Sequence, residues 1–247
     1  MSVSSWWPEP TGPTRVIVPV VATTVEAAEQ QAKAIAQTDA DLVEWRADYL
    51  AVPLPGAMLA VVAASLRDLV TPKPLLFTWR TADEGGLAQD EADADYTEIV
   101  TAVLRAKAAD LVDVEIHHPA APTLMSAAKE FGVPVVGSWH DTQATPPAEE
   151  IGDALKRAWQ MGASVAKVAV TPHDEADVVT VLNTTLLAAH AVPIPLITVS
   201  MGELGLVGRV FGHMFGSSAT FASVGVASAP GQVELSVLRQ LWAKLAS

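Results

Sequence analysis

The sequence predicts a single-domain (β/α)8 TIM barrel. Three observations lead there. Short apolar, β-branched runs recur along 247 residues, an alanine-rich helical pattern follows them repeatedly, and polar residues collect at one end of the runs. The strand candidates are Val16–Val21, Leu42–Arg46, Leu75–Trp79, Leu111–Glu115, Val135–Trp139, Val165–Val170, Leu196–Ser200 and Thr220–Val224. They are short and nearly uninterrupted by polar residues, as expected of parallel strands buried on both faces. Helical patterns occupy Val25–Gln37, Asp90–Ala109, Pro122–Phe131, Ala148–Met161, Asp174–Ala189, Gly205–Phe215 and Gln232–Leu245. Gly132 and Gly162 follow two of these helices, and Thr171-Pro172 closes a strand. An open doubly wound sheet is the alternative, but no glycine-rich dinucleotide fingerprint follows the first strand. No linker or repeat divides the chain. Residues 1–14, with Trp6 and Trp7, read as a leader that is either mobile or packed on the barrel bottom. Residues 15–247 form the (β/α)8 domain.

Bulk properties narrow the function. Half of the residues are apolar, enough for one large core. A formal net charge of −13 argues against nucleic acid and anionic membrane surfaces as partners. With no cysteine, thiolate catalysis and thiolate metal sites are excluded. The first fifteen residues lack a basic start and an apolar core, and no run reaches the ~18 apolar residues of a membrane span. A soluble cytoplasmic protein is expected.

The most informative residue is Lys167, inside Val165-Ala166-Lys167-Val168-Ala169-Val170. An ammonium in a strand buried on both faces must be paired, neutral or chemically used. A desolvated lysine loses its proton more easily, and the free amine attacks ketones to form a Schiff base. The alternative is a buried stem whose head reaches water. In a (β/α)8 barrel the site lies at the carboxyl ends of the strands. Those ends carry Glu44, Arg46 and Asp48, then Arg80, Asp113 and Glu115, His140, Lys167, and Ser200 with Met201. Glu44, Arg46 and Asp48, spaced by two, face one way while the strand lasts. They read equally as an ion pair closing the barrel or as a grip on substrate hydroxyls. His140 suits acid–base work or a simple structural hydrogen bond. Glu84 is its candidate orienter, and Gly85-Gly86 either lets the backbone approach a ligand or makes an ordinary turn. The alternation Asp113, Glu115, His117 could present a divalent-metal face, with structural roles preferred.

Together these segments resemble the type I 3-dehydroquinate dehydratase family, the Schiff-base dehydratases of the shikimate pathway. The resemblance runs through Glu44-Trp45-Arg46-Ala47-Asp48, Thr78-Trp79-Arg80-Thr81 with Glu84-Gly85-Gly86, and Ser138-Trp139-His140-Asp141. It continues through Lys167-Val168-Ala169-Val170-Thr171-Pro172, Ser200-Met201-Gly202 leading to Arg209, and Phe215-Gly216-Ser217-Ser218-Ala219-Thr220-Phe221 with Ala227-Ser228-Ala229-Pro230-Gly231-Gln232. It implies a cytoplasmic homodimer that turns the small carboxylate 3-dehydroquinate into 3-dehydroshikimate and uses no metal or organic cofactor. By the same resemblance Lys167 is the Schiff-base nucleophile, His140 the proton shuttle, and Glu84 its partner. Arg209 grips the carboxylate, Glu44, Arg46 and Arg80 hold ring hydroxyls, and Met201 and Phe221 form apolar walls. Ser228 and Gln232 belong to a closing loop. Gly208 stands where the family often carries a serine. Three rivals remain: a class I aldolase-type barrel, though no glycine-rich phosphate site is visible; a metal-dependent epimerase using Asp113, Glu115 and His117; and a non-catalytic ligand-binding barrel.

Overall fold

The computed structural model describes residues 7, 11–87, 93–225 and 231–246. In chain order they form β1 (Arg15–Val20), α1 (Val25–Ala36), β2 (Leu42–Arg46), α2 (Gly56–Val70), β3 (Leu75–Thr78), α3 (Asp93–Ala106), β4 (Leu111–Glu115) and α4 (Ala121–Phe131). There follow β5 (Val135–Asp141), α5 (Ala148–Gln160), β6 (Val165–Val170), α6 (Glu175–Ala191), β7 (Leu196–Ser200), α7 (Leu206–Phe211), β8 (Ala219–Ser223), β9 (Val233–Glu234) and α8 (Leu235–Leu245). Every pairing between them is parallel, in the order β7-β6-β5-β4-β3-β2-β1-β8-β9.

The barrel closes between β7 and β8 by a sparse seam. A parallel bridge joins Leu196 to Ser217, and the Ser218 amide donates to the Leu196 carbonyl at 2.7 Å. The Ser217 hydroxyl fills in for backbone: its oxygen accepts the Thr198 amide at 3.3 Å and donates to the Ala219 carbonyl at 3.1 Å.

Alternation along the strands separates two cores. Val16, Val18, Val43, Trp45, Val112, Val114, Ala166 and Val168 point outward into the shell of helices. Ile17, Leu42, Leu76, Leu111, Val136, Val165, Ile197 and Ala219 fill the barrel interior, and Trp7 is buried with them at 4 % exposure. The leader therefore reaches the barrel interior through Trp7, with the Arg15 guanidinium 5.1 Å over its ring. The other residues of Met1–Pro10 lie outside the described set.

Several element bounds differ from expectation for identifiable reasons. β5 runs on to Asp141 because His140 and Asp141 still pair with Ala169 and Val170 of β6. The expected Gly205–Phe215 helix is one and a half turns of α7 followed by a 3-10 turn over Gly212–Phe215, ended by Gly216 at φ 98°. The last helix starts at Leu235 because Val233 and Glu234 pair with β8. Between β2 and β3 no helix is expected from the sequence pattern. There α2 buries Leu59, Ala63, Leu66 and Val70, an i, i+4, i+7, i+11 stripe in an otherwise apolar run that blurs the helical period.

Candidate active site

The carboxyl ends of the strands surround a cavity of about 340 Å³. Its walls include Glu44, Arg46, Arg80, Glu84, His140, Lys167, Met201, Arg209, Phe221 and Gln232. Of the expected site residues only Ser228 lies outside the described residues.

On β2, Glu44 points inward and accepts the Thr78 hydroxyl at 2.9 Å. Arg46 ends the strand, and Asp48, in the 3-10 turn that follows, folds back to receive its fork at 2.8 and 2.7 Å. Asp48 also accepts the amides of Arg80 and Leu87. It is thus a hinge pin between two loops rather than a third group facing the cavity.

Arg80 is the hub of a buried ionic network, itself only 2 % exposed. Its Nη1 reaches Glu84 at 3.1 Å, Glu115 at 2.9 Å and the Ser138 hydroxyl at 3.0 Å, and its Nη2 lies 2.8 Å from Asp113. Burial opposes this charge, but Asp113, Glu115 and Glu84 together hold the guanidinium protonated well above its ordinary range. Glu115 is further fixed by the Thr81 amide and hydroxyl, and Ser138 donates to Asp113 at 2.6 Å. Asp113 and Glu115 are thereby committed to Arg80, while His117 packs on the Trp139 ring at 5.0 Å. Among the described residues no three His, Asp or Glu side chains are grouped to hold a metal ion.

The glycine pair has a structural cause. Gly85 is left-handed, at φ 80°, and a Cβ there would press into Thr142. A Cβ on Gly86 would collide with the Arg80 carbonyl. The turn brings Glu84 back onto the network, where its Oε2 accepts the His140 amide at 3.1 Å and meets His140 Nδ1 at 2.7 Å. That contact leaves Nε2 as the ring nitrogen available to the cavity. Burial, then Arg80, Lys167 and Arg46, hold the imidazole well below its ordinary range, so it is neutral near pH 7. Burial, with Glu115 and Asp113, pushes the Glu84 carboxyl up to about 9 against the pull of Arg80.

Lys167 is directed inward at 6 % exposure, opposite Ser138 in the β5–β6 register and one pleat repeat deeper than His140. Its Nζ sits 3.9 Å from both Glu44 and Asp113 and 4.7 Å over the Phe221 ring. Neither carboxylate is at hydrogen-bond distance. Burial lowers its pKa from the ordinary lysine value; Glu44 and Asp113 pull the other way, and Arg80 and Arg46 add to the lowering. Arg209 reaches the same cavity from α7, and burial lowers its guanidinium to about 10. At Gly208 an added side chain would meet only Leu182, at 3.9 Å.

A larger hollow of about 880 Å³ adjoins this site and shares Glu84 and His140. Among the described residues no lysine or arginine lines it, whereas Asp83, Asp95, Glu98 and Glu115 do. A carboxylate ligand is repelled there and attracted to the smaller cavity, where Arg46, Arg80, Arg209 and Lys167 converge.

The type I 3-dehydroquinase family model matches residues 16–246. The chain belongs to the type I 3-dehydroquinase family. Membership makes it an enzyme of the hydro-lyase class. The 3-dehydroquinate dehydratase of Enterococcus faecalis is 38% identical over 92% of this chain and 91% of its own. That of Salmonella typhimurium is 35% identical over the same shares. Among solved structures, the 3-dehydroquinate dehydratase of Geobacillus kaustophilus superposes with a TM-score of 0.88 at 32% identity, covering 94% of this chain and 91% of that one. The Clostridium difficile type I enzyme, solved with covalent modified comenic acid, gives 0.88 at 31% identity over 95% and 92%.

Ser138, Thr78 and Thr142 carry no assigned role in the sequence, whereas Asp48 makes with Arg46 the ion pair that is one of its two expected readings. Only the strand register could have found Ser138 and Thr78, since each matters through the neighbouring strand's side chain.

Proposed function

We propose that this family member dehydrates 3-dehydroquinate to 3-dehydroshikimate through a Schiff base on Lys167, with His140 as the general acid–base group. The observation that carries the reading is Lys167 itself: a buried amine on the cavity wall, with no close hydrogen bond and a lowered proton affinity, one strand from the imidazole. Neutral Nζ attacks the ring ketone, and loss of water gives the imine. Protonated, that imine withdraws the electron pair left when the adjacent C–H proton is removed. His140 Nε2 takes this proton and returns it to the departing hydroxyl, which leaves as water. Hydrolysis of the imine consumes one water and frees product and lysine. The imine is the electron sink, so the chemistry needs no metal or organic cofactor.

Glu84 fixes the orientation of the imidazole through Nδ1. Arg209 binds the substrate carboxylate with its planar fork. Glu44, Arg46 and Arg80 face the ring hydroxyls, Met201 and Phe221 enclose the ring, and Gln232 with Ser228 belongs to the closing loop. The acidic surface charge and the lack of any helix long and apolar enough to cross a membrane, among the described residues, fit a cytoplasmic enzyme with no nucleic-acid partner. The wider reading is a homodimer whose residues 15–247 are the catalytic domain and 1–14 a leader.

The test is borohydride reduction in the presence of 3-dehydroquinate, followed by peptide mass spectrometry. The adduct is expected on Lys167 and lost in Lys167→Ala together with turnover. An adduct on another residue, or activity without any adduct and sensitive to chelation, overturns the reading.

A further inference from the structure

We propose that Asp113 is the counter-ion of the protonated imine, a positioning residue that keeps the Lys167 nitrogen cationic during elimination. The inference rests on the Schiff-base reading and goes beyond it. Asp113 is 1 % exposed and is not part of the cavity wall, so it can act on substrate only through Lys167. Its two oxygens are used unequally. Oδ1 accepts the Ser138 hydroxyl at 2.6 Å and lies 2.8 Å from Arg80 Nη2, an ion-pair contact. Oδ2 has no hydrogen-bond donor among the described residues and lies 3.9 Å from Lys167 Nζ. A buried acceptor without a donor is costly, and here the missing donor is adjacent.

The imine nitrogen must carry a proton to act as an electron sink, and most of its surroundings resist that. Burial disfavours the cation, and Arg46 from β2 and Arg80 after β3 repel it. His140 on β5 becomes a further cation once it has taken the substrate proton. Towards β7 the neighbours are apolar, Ile197 and Val199, and β8 supplies the Phe221 ring. Among the described residues only Glu44 and Asp113 bring a carboxylate to within 4 Å of the nitrogen. Glu44 lines the cavity and already receives Thr78. Asp113 sits behind the nitrogen, fixed by the Ser138 hydroxyl and in ion-pair contact with Arg80, with one oxygen left for the single N–H of an iminium. Because Arg80 also contacts Glu84, the same guanidinium braces the counter-ion on one side and the histidine's partner on the other.

The experiment is Raman spectroscopy of the imine formed by excess enzyme with the product ketone, read as the C=N shift between H2O and D2O across pH. The wild-type imine should stay protonated to higher pH than the same ketone's imine with a simple alkylamine, despite burial and the nearby arginines. In Asp113→Asn its protonation midpoint should fall by roughly 1–3 units, the scale set by one opposite charge at this range. The kcat should fall with it near neutral pH, while binding of a non-reactive carboxylate analogue is retained. A wild-type midpoint below that of the free imine overturns the proposal whether or not the variant folds. An unchanged midpoint in a folded Asp113→Asn does so as well. Failure of wild-type enzyme to form any Lys167 imine refutes instead the Schiff-base reading on which this one stands.

Discussion

The two ends of the barrel solve opposite problems. One interior layer is wholly apolar, with Ile17, Leu42, Leu76, Leu111 and Val136 packed with Trp7. At the carboxyl ends, the same inward direction carries Glu44, Thr78, Asp113, Ser138 and Lys167. The strands are continuous between the two, so the change happens within two or three residues of each. Stability resides in a layer with nothing to titrate. The opposite layer is ionic, and there Arg80, Glu84, His140 and Lys167 are all displaced from their ordinary proton affinities. Substitutions at the two ends should therefore separate folding from turnover.

The sharpest break comes at Lys167. Lys167→Ala should lower kcat by ~10⁶-fold, the scale of removing an enzymatic nucleophile, with little loss of thermal stability, because its buried amine approaches neither Glu44 nor Asp113 closer than 3.9 Å. A large fall in Tm would show that the ionic end also carries the fold. Next is His140→Ala, expected to reduce kcat by ~10²–10⁴-fold while the Lys167 adduct still forms. Normal turnover in that variant removes His140 from the mechanism. Arg209→Lys keeps charge but loses the fork, and KM should rise by an amount worth about 1.5–3 kcal/mol, with kcat less affected. At the other end, Trp7→Ala should cost about 2 kcal/mol in denaturant unfolding and leave kcat unchanged. A drop in kcat would couple the two ends.

The smallest and most diagnostic effect is in pH. Glu84 is raised from 4.5 to about 9, so the native state holds a proton that the unfolded chain has released across that interval. Its contribution to stability is full below pH 4.5 and is lost as pH rises through about 9. His140 has the opposite sign: its folded pKa lies below 6.5, so stability grows as pH rises towards 6.5. Glu84→Gln should flatten the decline between about pH 5 and 9 in urea titrations. The Trp7→Ala penalty should stay constant over the same range, since its layer holds no titratable group.

How much of this was legible in the chain follows the same division. Strands such as Leu42–Arg46 and Val165–Val170 have the expected bounds because burial on both faces leaves an unbroken apolar signature. The lysine stood out against that signature for the same reason. Helix α2 was hidden by its apolar composition, and the splitting of the 205–215 segment by glycines that a periodicity count ignores. At the site, residue types at strand ends singled out Lys167 and His140, whereas Arg209, on α7, entered only through the family resemblance. Partnerships were not legible: that Arg80 would reach Glu84, Glu115, Ser138 and Asp113 depends on register across three strands. Gly86 likewise reads as room for a ligand until the Arg80 carbonyl is seen beneath it.

The closing seam has a consequence for how affinity and chemistry are divided. Arg209 and Phe221 stand on either side of the β7–β8 junction, where one serine hydroxyl substitutes for a run of ladder bonds. His140 and Lys167 sit on β5 and β6, which share the long register from Val136 to Asp141. On the proposed roles, opening of the barrel at this seam would loosen the hold on a bound acid while the amine and the imidazole keep their spacing. Departure of product and upkeep of the reactive geometry would then fall to different staves of the same cask.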